Sequence, residues 1–190
     1  SSIHGIRELL VNDYDTLTEE EKLVFTRDIH TLANNLFDLI NTLLTWSTSQ
    51  SGMIAYRPKT FLIAELCRKS MHSLETVARQ KDIKLECRAN ENLTVLADEN
   101  MILSVLHNLI NNGIKYSYQG TTIRIEIGPV KDYAEISVID SGIGFSKESQ
   151  DKLFKYDQHF IGKGTAGETG TGLGLILCRD FVEKNGGTIR

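Results

Sequence analysis

Two glycine clusters, Asp140-Ser-Gly-Ile-Gly144-Phe145 and Gly170-Thr-Gly172-Leu-Gly174-Leu175, bracket a polar stretch with almost no apolar periodicity. Glycine at this density lets the backbone reach positive φ and brings N–H groups close to a ligand. The second cluster runs straight into a helical pattern of Leu173, Leu175, Ile176, Cys178, Phe181 and Val182. A helix N-terminus fed by glycines suits an anion, because its unpaired N–H groups and its dipole both favour phosphate. Either cluster alone reads equally as a turn beside a loop. The pair, opened by an aspartate, reads as a ligand-binding loop.

Composition narrows the frame. At 190 residues, 41% hydrophobic and a net charge of −4, the chain is expected to form one or two ordinary globular domains. No run approaches the ~18 apolar residues of a membrane span, and no signal-peptide pattern opens the chain. Cys67, Cys87 and Cys178 are odd in number, far apart in sequence and each in an apolar setting. They read as buried thiols of a reducing compartment, not as bridges or zinc ligands. Lys and Arg are dispersed, so no nucleic-acid contact is expected of this segment. Nor is membrane contact expected. The segment is placed in the cytoplasm, under a parent protein that could be anchored in an inner membrane.

Along the chain, residues 1–11 read as a short helical piece and Asn12 to Asp15 as a turn. Thr18-Glu-Glu-Glu21 is a capping box opening a long helix from Thr18 to about Ser51, where Gly52 stops it. Phe25, Ile29, Leu32, Leu36, Leu39, Leu43 and Trp46 recur at steps of 4, 3, 4, 3, 4 and 3, widened by Phe37, Ile40 and Leu44. This seam specifies a coiled coil or helical bundle. The piece before it is too short to cover it, so a second chain and residues ahead of Ser1 are expected to help.

Arg57-Pro58 marks a boundary. Helix is expected from Phe61 to Ala78, with Leu62, Leu66, Cys67, Met71, Leu74 and Val77 inside. Short strands follow at Ile83–Cys87 and Leu93–Ala97, then an Asp98-capped helix from Glu99 to Tyr116. Thr122–Ile127 and Ala134–Val138 alternate strictly and read as paired strands around a turn at Gly128 to Asp132. The predicted architecture is α+β: a helical hairpin over residues 1–55, half of a dimeric four-helix bundle, then an α/β sandwich over 56–190 with helices on one face of a mixed or antiparallel sheet. The last residues, Gly186 to Arg190, read as a strand that continues beyond the chain.

On the predicted helix before that strand pair, Asn108 and Asn112 stand four apart, so both carboxamides leave one face, with Lys115 one step further along. Two neutral oxygens beside a lysine suit Mg²⁺ that keeps most of its water and takes its other ligands from phosphates. Alone, the trio is a solvated polar face. One strand pair ahead of the glycine clusters, it reads as part of the same site.

The segment Asn108 to Lys115, Asp140-x-Gly-x-Gly144, the phenylalanines Phe154 and Phe160, and Gly170-Thr-Gly-x-Gly174 stand in the order of the N, G1, F and G2 boxes. In this the chain resembles the sensor histidine kinases, over about Lys59 to Arg190, and residues 1–52 resemble their dimerisation hairpin. The resemblance implies ATP and Mg²⁺ as cofactors, with Asn112 and Asn108 on the metal, Lys115 on the phosphates and Tyr116 flanking the nucleotide. It implies that Asp140 accepts from the adenine amino group while Gly142 and Gly144 close around the base. It makes the segment from about Gln158 to Thr169 a lid with Lys163 as a phosphate contact, and it puts Gly170, Thr171, Gly172, Leu173 and Gly174 at the phosphate tail. Gly113 departs from the family's more frequent alanine, at a cost of roughly 1 kcal/mol in helix propensity. Related topoisomerase and chaperone ATPases carry a glutamate general base where this chain has Asn108. Nucleotide binding without efficient hydrolysis is therefore expected.

The resemblance further implies a homodimer, a response-regulator receiver domain as partner, and transfer of the γ-phosphate to a histidine and then to a regulator aspartate. The family's acceptor histidine is followed by an acidic residue and by Arg and Pro. None of His4, His30, His72, His107 and His159 sits in that pattern. The acceptor is thus expected ahead of Ser1. An ATP-binding signalling scaffold without productive transfer is the alternative reading.

Overall fold

A computed structural model of the chain describes residues 12, 16–50, 55–146, 153, 164–166, 168 and 172–190. The expected helix at 1–11, the stop at Ser51-Gly52 and all of the turn expected from Asn12 to Asp15 except Asn12, which is helical, lie outside these residues. So do Phe154, Phe160, Lys163, Gly170 and Thr171. Two compact units divide between Ser47 and Thr48.

All but the last three residues of α1 (Glu19–Gln50) belong to the first unit. Its start is the predicted capping box: Glu21 N donates to Thr18 Oγ1 at 3.3 Å while Thr18 N donates to Glu21 Oε2 at 2.9 Å. The Thr18 N–H and the Thr18 hydroxyl, which donates to the same Oε2 at 2.8 Å, hold the Glu21 carboxyl below its ordinary range. Leu36, Phe37, Ile40 and Leu44 are each about half exposed or more. These exposed apolar positions recur along one helix of ~48 Å.

The second unit comprises β1 (Lys59–Leu62), α2 (Ile63–Gln80), β2 (Lys84–Ala89), β3 (Thr94–Ala97), α3 (Glu99–Tyr116), β4 (Thr122–Val130), β5 (Tyr133–Ile139) and α4 (Gly174–Lys184). The α+β class holds, and the sheet is mixed: β2 pairs parallel with β4, and β4 antiparallel with β5. Ile123, Ile125 and Ile127 of β4 point inward, as their alternation requires. They meet Ile63, Leu66, Cys67, Leu74 and Ala78 of α2 and Leu106, Ile110 and Ile114 of α3. The opposite side of α3, Met101 and Val105, packs on Leu177, Cys178 and Phe181 of α4. So α3 lies between the sheet and α4, buried on both flanks.

Several expectations need correction. Phe61 and Leu62 are strand, not helix: Pro58 holds the chain extended, and β1 pairs with β3 in a separate two-stranded sheet. Val77 is 44% exposed because the buried stripe of α2 runs through Ser70, Leu74 and Ala78 instead. β4 runs on through Gly128 and Pro129, leaving only Lys131 and Asp132 for the turn, with Lys131 at φ 55°. Residues 187–190 join no ladder; Ile189 packs beside the α3–α4 cluster, and Arg190 pairs with Glu135 at 2.7 Å. Of the thiols, Cys67 and Cys178 are buried and pushed up to about 12 by burial; Cys87 is half-buried with its Sγ 3.7 Å from that of Cys67.

Asp98 is the joint of this unit. Its side chain caps α3 by accepting from Asn100 N (3.1 Å) and Met101 N (3.2 Å), and it also accepts from Arg57 N at 2.8 Å. Its own N–H donates to Asn185 Oδ1 at the end of α4. Replacing Asp98 with alanine leaves three buried or half-buried N–H groups unpaired. It is expected to cost about 2 kcal/mol and to lower the melting temperature by roughly 6 °C, while Asp98→Asn, which keeps an acceptor oxygen, loses much less. Thermal unfolding followed by circular dichroism checks both.

Candidate nucleotide site

Three segments distant in sequence meet on α3. The helix runs unbroken from Glu99 to Tyr116, so half-buried Asn108 and Asn112 stand one turn apart and Lys115 and Tyr116 close its last turn. At the first of these, the chain entering α4 comes very near. A Cβ added to Gly174 would lie 3.1 Å from Asn108 Oδ1. The cap position of α4 is Leu173, which offers no side-chain oxygen, and the first turn carries no acidic residue. A helix N-terminus without a side-chain cap from Leu173 and without an acidic first turn suits an anion.

The end of α3 meets the first glycine cluster. Ser117 and Gly142 form an antiparallel bridge, and Ile143 N donates to Tyr116 O at 3.2 Å. A side chain at position 142 has no room: its Cβ would collide with Tyr116 O and fall 2.7 Å from Tyr116 C. Asp140, exposed just past the end of β5, turns one carboxylate oxygen back to accept from Gly142 N at 2.9 Å. Its second oxygen remains as an acceptor at the mouth of the loop. Gly144 and Gly172 take φ of +62° and +72°, conformations that suit glycine.

A third contact was not foreseen. Gly164, Thr165, Ala166 and Glu168 lie against the last turn of α3: Thr165 N donates to Lys115 O at 3.1 Å and Thr165 Oγ1 to Ser117 O at 2.5 Å. Lys81, just past α2, donates to Ile114 O (2.8 Å), Lys115 O (2.6 Å) and Glu168 Oε1 (2.9 Å). A lysine beside a helix end was readable as a cap, but for α2; only the tertiary packing turns it onto α3.

Electrostatics favour an anion. Burial lowers the Lys115 ammonium from its usual range, with Glu168 opposing and Lys81 adding to the shift, and its Nζ sits 5.1 Å from the Tyr116 ring centroid. A bound phosphate would restore the protonated form, so affinity for a phosphate ligand must fall as pH rises through the lowered Lys115 value. Titrating binding by calorimetry should show that fall beginning below the ordinary lysine range of about 10.4, and Lys115→Gln should abolish it. The possible metal donors are the Asn108 and Asn112 carboxamides. Among the described residues there is no group of three His, Cys, Asp or Glu, so a cation here would lean on water and phosphate oxygens, as Mg²⁺ does. The donor chemistry fits that ion.

Residues 97–190 match the histidine kinase-, DNA gyrase B- and HSP90-like ATPase family. The nucleotide-free catalytic domain of histidine kinase ThkA is 31% identical with a TM-score of 0.59, over 68% of this chain and 82% of that one. The chain belongs to the sensor histidine kinase ATPase family. Sensor protein EvgS of Escherichia coli (strain K12) is 30% identical over 196 residues, and the circadian input-output histidine kinase CikA of Synechococcus elongatus 29% over 180. These alignments cover 100% and 93% of the chain, but only 16% of EvgS and 24% of CikA. The chain thus spans about a sixth to a quarter of these curated relatives. Acinetobacter baumannii histidine kinase AdeS, at 22% identity, shares the fold over 95% of the chain with a TM-score of 0.69. As a histidine kinase ATPase domain, this one carries the ATP-binding architecture of its family, and no helix among its described residues is long and apolar enough to cross a membrane.

Proposed function

We propose that the chain is the catalytic core of a sensor histidine kinase, in which residues 56–190 bind Mg-ATP and residues 1–55 form the dimerisation and phosphotransfer hairpin. The observation that carries this reading is the convergence on α3, where Asn108 meets the start of α4 and the end of the helix is bridged to Gly142. Asp140 accepts from the adenine amino group, which selects adenine over guanine, and Gly142 and Gly144 let the loop close on the base beside Tyr116. Asn112, with Asn108, holds the cation by side-chain oxygen. Lys115 and the α4 terminus, at Gly172 to Gly174, face the phosphates; Gly170, Thr171 and Lys163 complete the phosphate contacts. Magnesium supplies charge neutralisation on the β- and γ-phosphates.

Asn108 cannot accept a proton, so water is not activated at the γ-phosphate. The bond from phosphorus to the bridging oxygen breaks, ADP leaves, and a phosphorus–nitrogen bond forms on an acceptor imidazole. Such transfer asks mainly for positioning and charge stabilisation. The phosphoryl group then passes to an aspartate of a response-regulator receiver domain; ThkA forms a complex with the response regulator TrrA. The exposed apolar stripe of α1 supports a homodimer through the hairpin. A dilution series by light scattering tests it, and monomer at every concentration would remove it. Calorimetry with Mg-ATP tests the site, with one nucleotide per chain expected and absence of heat overturning the reading. With γ-labelled ATP, none of the five histidines of this chain should take label; label on His4 would place the acceptor inside it.

A further inference from the structure

Lys81 and Glu168 are far apart in sequence, and neither belongs to a glycine cluster or to the asparagine face of α3. The Lys81 side chain is 12% exposed, yet all three of its hydrogen bonds go to two sets of groups: the terminal carbonyls of α3 and one carboxylate. A cation against the last carbonyls of a helix satisfies both their lone pairs and the dipole. Glu168 is equally occupied. Its Oε1 takes Lys81, its Oε2 accepts from Ala166 N at 2.9 Å, and its carbonyl accepts from Gly164 N at 2.7 Å. Thr165, inside that small ring, is tied to the Lys115 and Ser117 carbonyls. The compact turn has no room for a side chain at 164, where a Cβ would fall 2.8 Å from Lys115 O.

This arrangement stands four residues ahead of Gly172, where the chain enters α4 against Asn108. Described residues on both sides of the second glycine cluster's start thus stand at one helix: Thr165 is hydrogen-bonded to the Lys115 and Ser117 carbonyls at the end of α3, and Gly174 lies beside Asn108 at its middle. We propose that Lys81 and Glu168 are positioning residues of the nucleotide site, an ion pair that seats residues 164–166 on the last turn of α3 and so sets Lys115 and the α4 terminus for the phosphate tail. This rests on the nucleotide reading given above. Burial alone would raise the Glu168 carboxyl, but the Lys81 hydrogen bond and the backbone N–H groups outweigh it and keep it below its ordinary range. That is the direction a standing ion pair requires.

The base end and the phosphate end separate in the test. Calorimetry on the chain and on Lys81→Met, Glu168→Ala and the double variant should show Mg-ATP affinity falling about tenfold in each single variant. The double should be no weaker than the singles, as expected of two groups acting as one unit. Adenosine, which meets only the Asp140 end, should bind all four forms alike. Equal losses for ATP and adenosine, or additive losses in the double, would overturn the proposal. Amide hydrogen exchange at residues 164–166 supplies a readout independent of nucleotide. It should rise in both single variants, and unchanged protection in Glu168→Ala would equally sink the idea. If the unaltered chain bound no Mg-ATP while this exchange still rose, the fastening would stand and the nucleotide reading would fail instead. Glu168 lies on a surface loop outside the core, so its variant remains folded even where loss of Lys81 weakens α3.

Discussion

Gly142→Ala abolishes nucleotide binding while leaving the domain folded. The methyl group would occupy the space of the Tyr116 carbonyl and would fall 2.9 Å from the Asp140 carboxylate oxygen. The carbonyl cannot swing aside, because it is backbone at the end of α3 and already accepts from Ile143 N. The loop must therefore move away bodily, which breaks the Ser117–Gly142 bridge and shifts Asp140, the carboxylate proposed to accept from the adenine amino group. A displacement of this size at a recognition carboxylate is expected to weaken Mg-ATP at least 100-fold, a change of ~2.8 kcal/mol in binding. The melting temperature should drop little, since neither hydrophobic core contains a residue of this loop. Calorimetry and thermal unfolding on the same preparation separate the two effects. Binding within threefold of the original would contradict the close approach at position 142.

Asn112→Ala should produce a loss of similar size by a different route. Asn112 is half-buried on α3, one turn beyond Asn108, and its oxygen is proposed as the side-chain ligand of the cation. Without it, two neighbouring phosphate groups must sit together with less neutralisation in a partly desolvated cleft. ATP affinity in excess magnesium is expected to fall roughly 100-fold, and the residual binding should no longer respond to added magnesium. Alanine favours the helix more than asparagine does, so the fold itself should gain a few tenths of a kcal/mol. A magnesium response as steep as that of the unaltered chain would show that another residue carries the cation.

The site was legible where the chemistry is local. Asn108 and Asn112 share a face because a helix repeats every 3.6 residues, and α3 begins and ends where Asp98 and Tyr116 indicate. The positive φ of Gly144 and Gly172 was legible for the same reason, since the residue type states what the backbone can do. Lys81 and Glu168 were not legible. A lone lysine after a helix and a lone glutamate in a polar loop carry no period and no spacing, and their pairing depends on how α2 is laid against α3. Phe61 and Leu62 failed for a related reason: four apolar-rich residues fit a helix start as well as a strand, and the partner at Thr94 to Ala97 decides.

The amino-acid order by itself settled which segments are helix or strand over most of the described residues between 59 and 190. Propensity, capping and periodicity act between residues a few positions apart, and those forces are written directly in the chain. Partners far apart in sequence are another matter. That β2 lies parallel to β4, that Cys67 and Cys87 come within 3.7 Å, and that Asn108 meets the head of α4 follow from packing two helices and a sheet around one dry interior. Burial of apolar surface is non-directional, so it demands such a packing without naming the contacts; only the assembled shape of the domain selects them.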